Sequence, residues 1–159
     1  MAAICQKPFA RDMADAEAMV DACARAGVPL MVHENFRWQS PLMAVRSAIE
    51  SGEIGEPNYA RIQFRHAYDI YANQPYLKTE PRLAIMDLGI HLLDLARYLM
   101  GEATRLHCRT QRINPAVAGE DCVTILLDHA GGAVSLVDFS FFTKLEPDPF
   151  PQTLVRVGG

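Results

Sequence analysis

The sequence predicts an α/β segment followed by an α+β segment: a small parallel sheet, then a mostly antiparallel open β-sheet packed on helices. Two observations predict this. Near the N-terminus, two short apolar runs at residues 2–5 and 29–33 flank one helical stretch, which is the order of a parallel β-α-β unit. Further on, apolar and polar residues alternate with the period of a half-buried strand in four separate stretches.

The N-terminal elements have clear boundary signals. Asp12 is a suitable N-cap for a helix running to Ala26, and Gly27 provides its C-terminal stop. Residues 35–39 form the polar end of the second strand, where α/β folds place ligand-binding groups. Ser40 and Pro41 start a second helix, which carries one apolar stripe and ends at Gly52.

The later strands are predicted at residues 58–66, 104–113, 121–128 and 133–142. A turn at residues 129–132 joins the last two strands, and its glycines suit a tight hairpin. Both faces of the last strand are apolar. This pattern indicates either a second subunit covering the open face or crowding near a chain end, and the residues favour neither. Residues 154–159 resemble a strand that runs into a turn.

Composition excludes several classes of protein. The apolar fraction is 50%, the mean hydropathy is +0.01, and the net charge is −4 with a pI near 5.7. Such a chain has no electrostatic footprint for nucleic acid and no apolar run long enough to span a membrane. We expect a cytoplasmic protein whose four cysteines stay reduced, because their spacing matches no zinc or redox motif.

The most informative stretch is residues 86–94, in which Asp87 and His91 stand four residues apart within a helical apolar pattern. Residues four apart share a helix face, so two groups able to move protons point the same way. The alternative is that Asp87 caps the helix N-terminus and His91 is an ordinary polar residue. Taken alone, the motif favours this alternative.

Four motifs in order change that balance. They are Q-K-P at residues 6–8, H-E-N-F-R-W at residues 33–38, S-G-E-I-G-E-P at residues 51–57, and D-L-G-I-H-L-L-D at residues 87–94. Their order and spacing resemble the Gfo/Idh/MocA family of NAD(P)-dependent sugar and polyol oxidoreductases. The resemblance covers most of the chain to about Gly101 and, more loosely, the later strands.

The resemblance implies that residues 1–39 are the C-terminal remnant of a Rossmann-type domain. Residues 40–56 are then a connecting helix, and residues 57–159 a truncated substrate and oligomerisation domain. Family members are longer and begin with a G-x-G-x-x-G turn that binds the dinucleotide pyrophosphate, whereas this sequence contains no G-x-G. We expect that the full-length family uses NAD or NADP and that this chain alone binds neither. A truncated gene, a misassigned start and a fragment remain open explanations.

The resemblance also implies residue roles. Lys7 would donate a hydrogen bond to the substrate hydroxyl, His91 would act as the general base, and Asp87 would orient the imidazole or bind the substrate. Asn35 and Arg37 are the candidate cofactor-binding residues. The chain departs from the family in having Gln6 where glutamate is usual, and in having residues 82–85 where glycines are common.

Other assignments depend on spacing alone. Asp94 lies three residues before Arg97, which predicts a structural ion pair on the helix. Asp87, His91 and Asp94 could converge on a metal ion from adjacent turns, but zinc sites usually recruit further His or Cys ligands, and none stands at a convincing spacing. We therefore expect no metal site.

Three functions remain open. In the first, the chain is a fragment of an NAD(P)-dependent oxidoreductase that acts on CH–OH groups of a sugar-like or polyol-like substrate, and it is not catalytic alone. In the second, it is a non-catalytic binding or oligomerisation module. In the third, it is a remnant without activity. Whether it is an enzyme stays undecided at this point. We expect no nucleic-acid or membrane partner, and a homo-oligomer formed through the β-sheet.

Overall fold

The computed structural model describes residues 1–146 and 152–159. These residues form two compact units, Met1–Asn35 and Phe36–Gly159. Helices and strands are numbered in chain order.

The first unit is a parallel β-α-β arrangement. Strand β1 (Ala3–Gln6) pairs in parallel with β2 (Leu30–His33), and Gln6 lies opposite His33. Helix α1 (Met13–Arg25) connects them, and the Asp12 side chain accepts a hydrogen bond from the backbone N–H of Asp15 at 2.9 Å. The predicted cap and the parallel pairing are both present.

The second unit begins with a 3₁₀ turn (Phe36–Trp38) and helix α2 (Ser40–Glu50). Strand β3 (Tyr59–Arg65), a 3₁₀ turn (Pro75–Thr79), a π-helical turn (Ile85–Gly89) and helix α3 (Ile90–Met100) follow. The remaining strands are β4 (Ala103–Gln111), β5 (Cys122–His129), β6 (Val134–Ser140) and β7 (Leu154–Gly158).

The sheet of the second unit has the strand order β4-β5-β6-β3-β7 among the described residues. Strand β3 runs parallel to β6, and the other neighbours are antiparallel. The prediction of a mostly antiparallel sheet packed on helices is confirmed. The four predicted strands of this sheet are joined by a fifth, because the stretch near the C-terminal end of the sequence that resembles a strand pairs beside β3 at residues 154–158.

Helix α3 covers one face of this sheet and supplies the side of the core that faces it. Its leucines Leu92, Leu95 and Leu99 are at most 2% exposed and pack with Ile62, Val137 and Phe139 from the sheet. Burying a side chain of this size contributes roughly 1.5–3 kcal/mol. The helix is therefore anchored on the sheet by its apolar stripe, as its sequence pattern predicts.

A buried carboxylate organises the loop between β4 and β5. Asp121 is fully buried and accepts hydrogen bonds from the backbone N–H groups of Ile113 and Asn114, both at 2.7 Å.

Tyr71 is also buried, and its hydroxyl has no hydrogen-bond partner among the described residues. Burial raises the pKa of Tyr71, and the charge of Asp121 raises it further. The Asn114 amide partly offsets this rise without reaching hydrogen-bonding geometry.

The Tyr71→Phe variant tests this arrangement. Removing an unpaired buried hydroxyl is expected to leave the free energy of unfolding unchanged or raise it by about 1 kcal/mol near pH 8. A tyrosine whose folded pKa is raised loses stability as pH rises above its unfolded value of about 10, so the advantage of phenylalanine should grow towards about pH 11. Urea unfolding at both pH values measures this.

Tyr76→Phe is the control, because Tyr76 is 58% exposed and its hydroxyl contacts Gln74. If Tyr71→Phe lost stability at both pH values while the control did not, the hydroxyl would have a stabilising partner, contrary to this account.

Candidate functional site

The segment that carries Asp87 and His91 is a single helix over residues 83–100 with a π-helical turn at Ile85–Gly89. Asp87 lies inside the π turn, and His91 lies in the first turn of α3. Such turns are rare within α-helices and occur frequently at functional sites. The sequence predicted a helix here, but not its local widening.

The start of this helix is held by a side chain from another part of the second unit. The backbone carbonyl of Glu120 accepts a hydrogen bond from the backbone N–H of Ala84 at 3.0 Å. The side-chain carboxylate of Glu120 accepts a second hydrogen bond, from the backbone N–H of Ile85, at 2.9 Å. Gly119 permits the approach, since a Cβ there would lie 2.8 Å from the Leu83 nitrogen. Glu120 therefore takes the capping role that the alternative interpretation gave to Asp87, because Asp87 lies inside the helix and not at its start.

Gly89 brings the π turn close to the sheet. A Cβ at this position would lie 2.8 Å from Cζ of Phe139, a fully buried residue of β6. The ring cannot move aside without disturbing the core. The absence of a side chain at Gly89 thus sets the distance between the helix and the sheet, and this distance also sets how far Asp87 and His91 lie from the sheet.

The His91 imidazole is 6% exposed and stacks on the Phe36 ring. The ring centroids are 4.2 Å apart, and the planes differ by 9°. Phe36 also touches Phe64 of β3, at 6.5 Å between centroids. The candidate general base is therefore flanked on one face by an aromatic ring from the turn that follows β2.

The next residue, Arg37, binds the same helix. Its guanidinium makes a forked ion pair with Asp94, with Nε 2.8 Å from Oδ2. It also lies over the Tyr98 ring, 5.0 Å from the centroid. Such forked pairs have a fixed geometry that a single-point contact lacks. That Arg37 contacts the cofactor stays a prediction.

The predicted ion pair between Asp94 and Arg97 was wrong. Arg97 instead donates to Glu102 just beyond the helix end, at 2.7 Å from Nη2, and this hydrogen bond lowers the pKa of Glu102. The three-residue spacing favoured the local partner, whereas Arg37 is 57 residues away in the sequence.

Two candidate residues lie in the first unit. Lys7 follows β1 and Asn35 lies two residues beyond β2, so both stand at the carboxyl edge of the parallel pair. The Lys7 backbone N–H donates to Oε1 of Gln6 at 2.8 Å, and the Lys7–Pro8 bond is cis. That Lys7 acts together with Asp87 and His91 stays a prediction.

Sequence reasoning missed Phe36, Gly89 and Glu120 as parts of the site. Phe36 had a usable signal, since it directly precedes Arg37 in a motif already singled out. Glu120 had none, because it lies in a loop distant in sequence from the helix that it caps. Within residues 1–146 and 152–159, no three His, Cys, Asp or Glu residues could hold a metal ion, and no helix could cross a membrane.

Comparison with known proteins gives the family. Residues 42–156 match the model described as the GFO/IDH/MocA C-terminal domain. The chain belongs to the Gfo/Idh/MocA family. A D-apiose dehydrogenase from Rhizobium rhizogenes is 55% identical over 157 residues, which cover 99% of this chain and 46% of that protein.

Further relatives agree. A D-apiose dehydrogenase from Paraburkholderia graminis is 56% identical over 159 residues, covering 100% of this chain and 42% of that protein. A solved oxidoreductase from Agrobacterium radiobacter, in complex with NAD+, L-tartaric acid and magnesium, superposes with a TM-score of 0.97 at 54% identity and covers 100% of this chain and 46% of that one. The chain thus spans just under half the length of these relatives.

The Gly89→Ala variant tests the close approach of the π turn to the sheet. Alanine gains about 1 kcal/mol of helix propensity over glycine, but overpacking a fixed core costs about 1–3 kcal/mol. We expect a net loss in the free energy of unfolding, measured by urea denaturation. The Gly131→Ala control, at a site with no atom within 4 Å of the added Cβ, should not show this loss. Stabilisation by Gly89→Ala would contradict the assigned packing.

Proposed function

We propose that this chain is the substrate-side part of an NAD(P)-dependent oxidoreductase that acts on a CH–OH group of a sugar or polyol. The observation that carries the proposal is the imidazole of His91, held one turn from the Asp87 carboxylate on a helix with a π turn. The dehydrogenases among its relatives support the substrate class.

Each residue has a part in this chemistry. The substrate hydroxyl gives its proton to the ring of His91, because imidazole is a base that works near neutral pH. Asp87 orients that ring or binds a second hydroxyl. Lys7 donates a hydrogen bond to the reacting oxygen and stabilises the charge that develops as the C–H bond breaks. NAD(P)+ supplies the acceptor for the hydride.

The residues of the chain fit one end of the cofactor better than the other. Asn35, at the carboxyl edge of the β1–β2 sheet, offers an amide suited to nicotinamide or ribose, and Arg37 is the second candidate. The sequence contains no glycine-rich turn for the pyrophosphate. We therefore propose that the isolated chain does not retain NAD(P) with micromolar affinity.

A hybrid protein tests the activity. In it, this chain replaces the matching 157 residues of the Rhizobium rhizogenes relative, so that the rest of that protein accompanies the chain. We expect NAD(P)-dependent oxidation of D-apiose or a similar sugar, and His91→Gln should lower kcat by about 10²–10⁴-fold with little change in the KM for the cofactor. Lys7→Met and Asp87→Asn should also lower kcat.

The control is His107→Gln, at an exposed position on β4. The isolated chain, titrated with NAD+ and NADP+ by calorimetry, should show no micromolar binding. An active hybrid in which His91→Gln behaves like the control would overturn the general-base assignment. Tight binding by the isolated chain would overturn the proposal on the cofactor.

A second proposed function is homo-oligomer formation through the open face of the sheet. The strand register places Leu126, Leu136 and Arg61 opposite one another across β5, β6 and β3 on the face away from α3. Leu126 is 44% exposed. Tyr59 and Leu154, on the same face, are 38% and 51% exposed. A second copy of this chain suits the patch because a two-fold contact matches an apolar stripe with itself.

The Leu126→Glu variant tests this proposal. At about 50 µM, sedimentation velocity should show a dimer or larger species for the chain, since interfaces of micromolar affinity are populated there. Leu126→Glu should shift it to the monomer, because a charge would be buried without a partner. The matched control is Leu106→Glu, which is 65% exposed but lies on the opposite face, paired with Leu127. A monomeric parent chain would refute the proposal.

A further inference from the structure

One face of α3 is contacted by two consecutive residues of a single short turn. His91, Asp94 and Tyr98 are spaced at i, i+3 and i+7, so they form a stripe along the helix. Phe36 stacks on the first of these residues, and Arg37 binds the second and lies over the third. The helix is thus held on this side over two turns by the pair Phe36–Arg37.

The turn itself has internal hydrogen bonding and contacts with a neighbouring helix. Residues Phe36–Trp38 are 3₁₀-helical, and the Phe36 carbonyl accepts from the backbone N–H of Gln39 at 3.0 Å. Arg46 of α2 reinforces the contact, since it donates to the Tyr98 carbonyl at 2.8 Å and lies 5.5 Å from the Tyr98 ring. Arg37 is held by these neighbours, and the backbone of Phe36 is therefore fixed relative to α3.

The geometry of the stack restricts the imidazole. Two rings at 4.2 Å with planes 9° apart leave no room for rotation of the His91 ring out of plane. Rotation about χ2 is otherwise broad for histidine, because it is a torsion between sp³ and sp² atoms. An aliphatic side chain of similar volume would fill the space but would present no flat surface to define the plane of the imidazole.

We propose that Phe36 is a positioning residue for His91: its ring sets the plane of the imidazole, and the Arg37–Asp94 ion pair holds Phe36 in place. The proposal rests on the proposed role of His91 as general base. A base works only when its nitrogen lies within hydrogen-bonding reach of the proton, and misplacement by about 1 Å can lower the rate by about 10²-fold. Phe36 acts through His91 and is not itself a catalytic residue.

The test compares Phe36→Leu with Phe36→Tyr, which keeps the ring, and with Phe142→Leu. Phe142 is 46% exposed, and its ring makes no contact with His91 among the described ring pairs. The first measurement uses the chain itself. A ring stacked on His91 shifts its carbon-bound imidazole protons upfield in the NMR spectrum, and His91→Gln assigns those signals. Phe36→Leu should remove the upfield shift, while Phe36→Tyr and Phe142→Leu should keep it.

The second measurement uses the hybrid enzyme. Phe36→Leu should lower kcat by about ten- to a hundredfold while the KM for the cofactor stays within about twofold, and Phe36→Tyr should restore most of the rate. Arg37→Lys, which keeps the charge but loses the fork, should lower kcat less than Phe36→Leu does. This split between kcat and KM would not follow from a general loss of folded protein.

The outcomes separate this proposal from the proposed function. Unchanged imidazole signals in Phe36→Leu, or an unchanged kcat, overturn the positioning role while leaving the oxidoreductase assignment in place. An inactive parent hybrid overturns the proposed function, and the NMR comparison then decides by itself whether Phe36 fixes the His91 ring. Loss of the shift in Phe36→Leu with retention in Phe36→Tyr supports it.

Discussion

The structure of the candidate site depends on one constraint: the helix over residues 83–100 is attached at both ends to other elements of the second unit. Glu120 accepts from its first backbone donors. At the other end, Nδ1 of His129 donates to the Gly101 carbonyl at 2.9 Å, and its Nε2 shares a hydrogen bond of 2.7 Å with the Ser135 hydroxyl. The π turn that contains Asp87 lies between these two fixed ends.

This helix presents two faces with separate roles. One carries Leu88, Leu92, Leu95 and Leu99, which pack into the core and determine stability. The other carries His91, Asp94 and Tyr98, whose partners Phe36 and Arg37 come from the turn before α2. Because the apolar stripe fixes the rotation of the helix about its axis, it also determines where the polar stripe points. Packing and chemistry are therefore coupled through one rigid element.

Most of the strands and helices could be predicted from the sequence, because local residue patterns determine them. Alternation predicted the strands, Asp12 and Ser40 marked helix starts, and Asp87 and His91 stood out by spacing. The π turn was not predictable, since five residues cannot distinguish a slightly wider helix from an α-helix. The partners of Asp94 and of Ala84 were not predictable either, because contacts between residues far apart in sequence depend on the tertiary fold.

The face of the sheet away from α3 carries charged side chains beside its exposed leucines, and these charged side chains are paired with one another. Asp138 has a side chain only 6% exposed and accepts hydrogen bonds from Arg61, Gln63 and Arg65. Burial lowers the pKa of Arg65, but the hydrogen bond from Arg65 to Asp138 and the charge of that carboxylate raise it by more, so the net pKa is above its ordinary value. A charge already paired costs less to bury than a bare one. A second copy that covered this face would gain free energy by burying the neighbouring leucines, and the cost of burying Asp138 would be reduced because its carboxylate already has three side-chain partners.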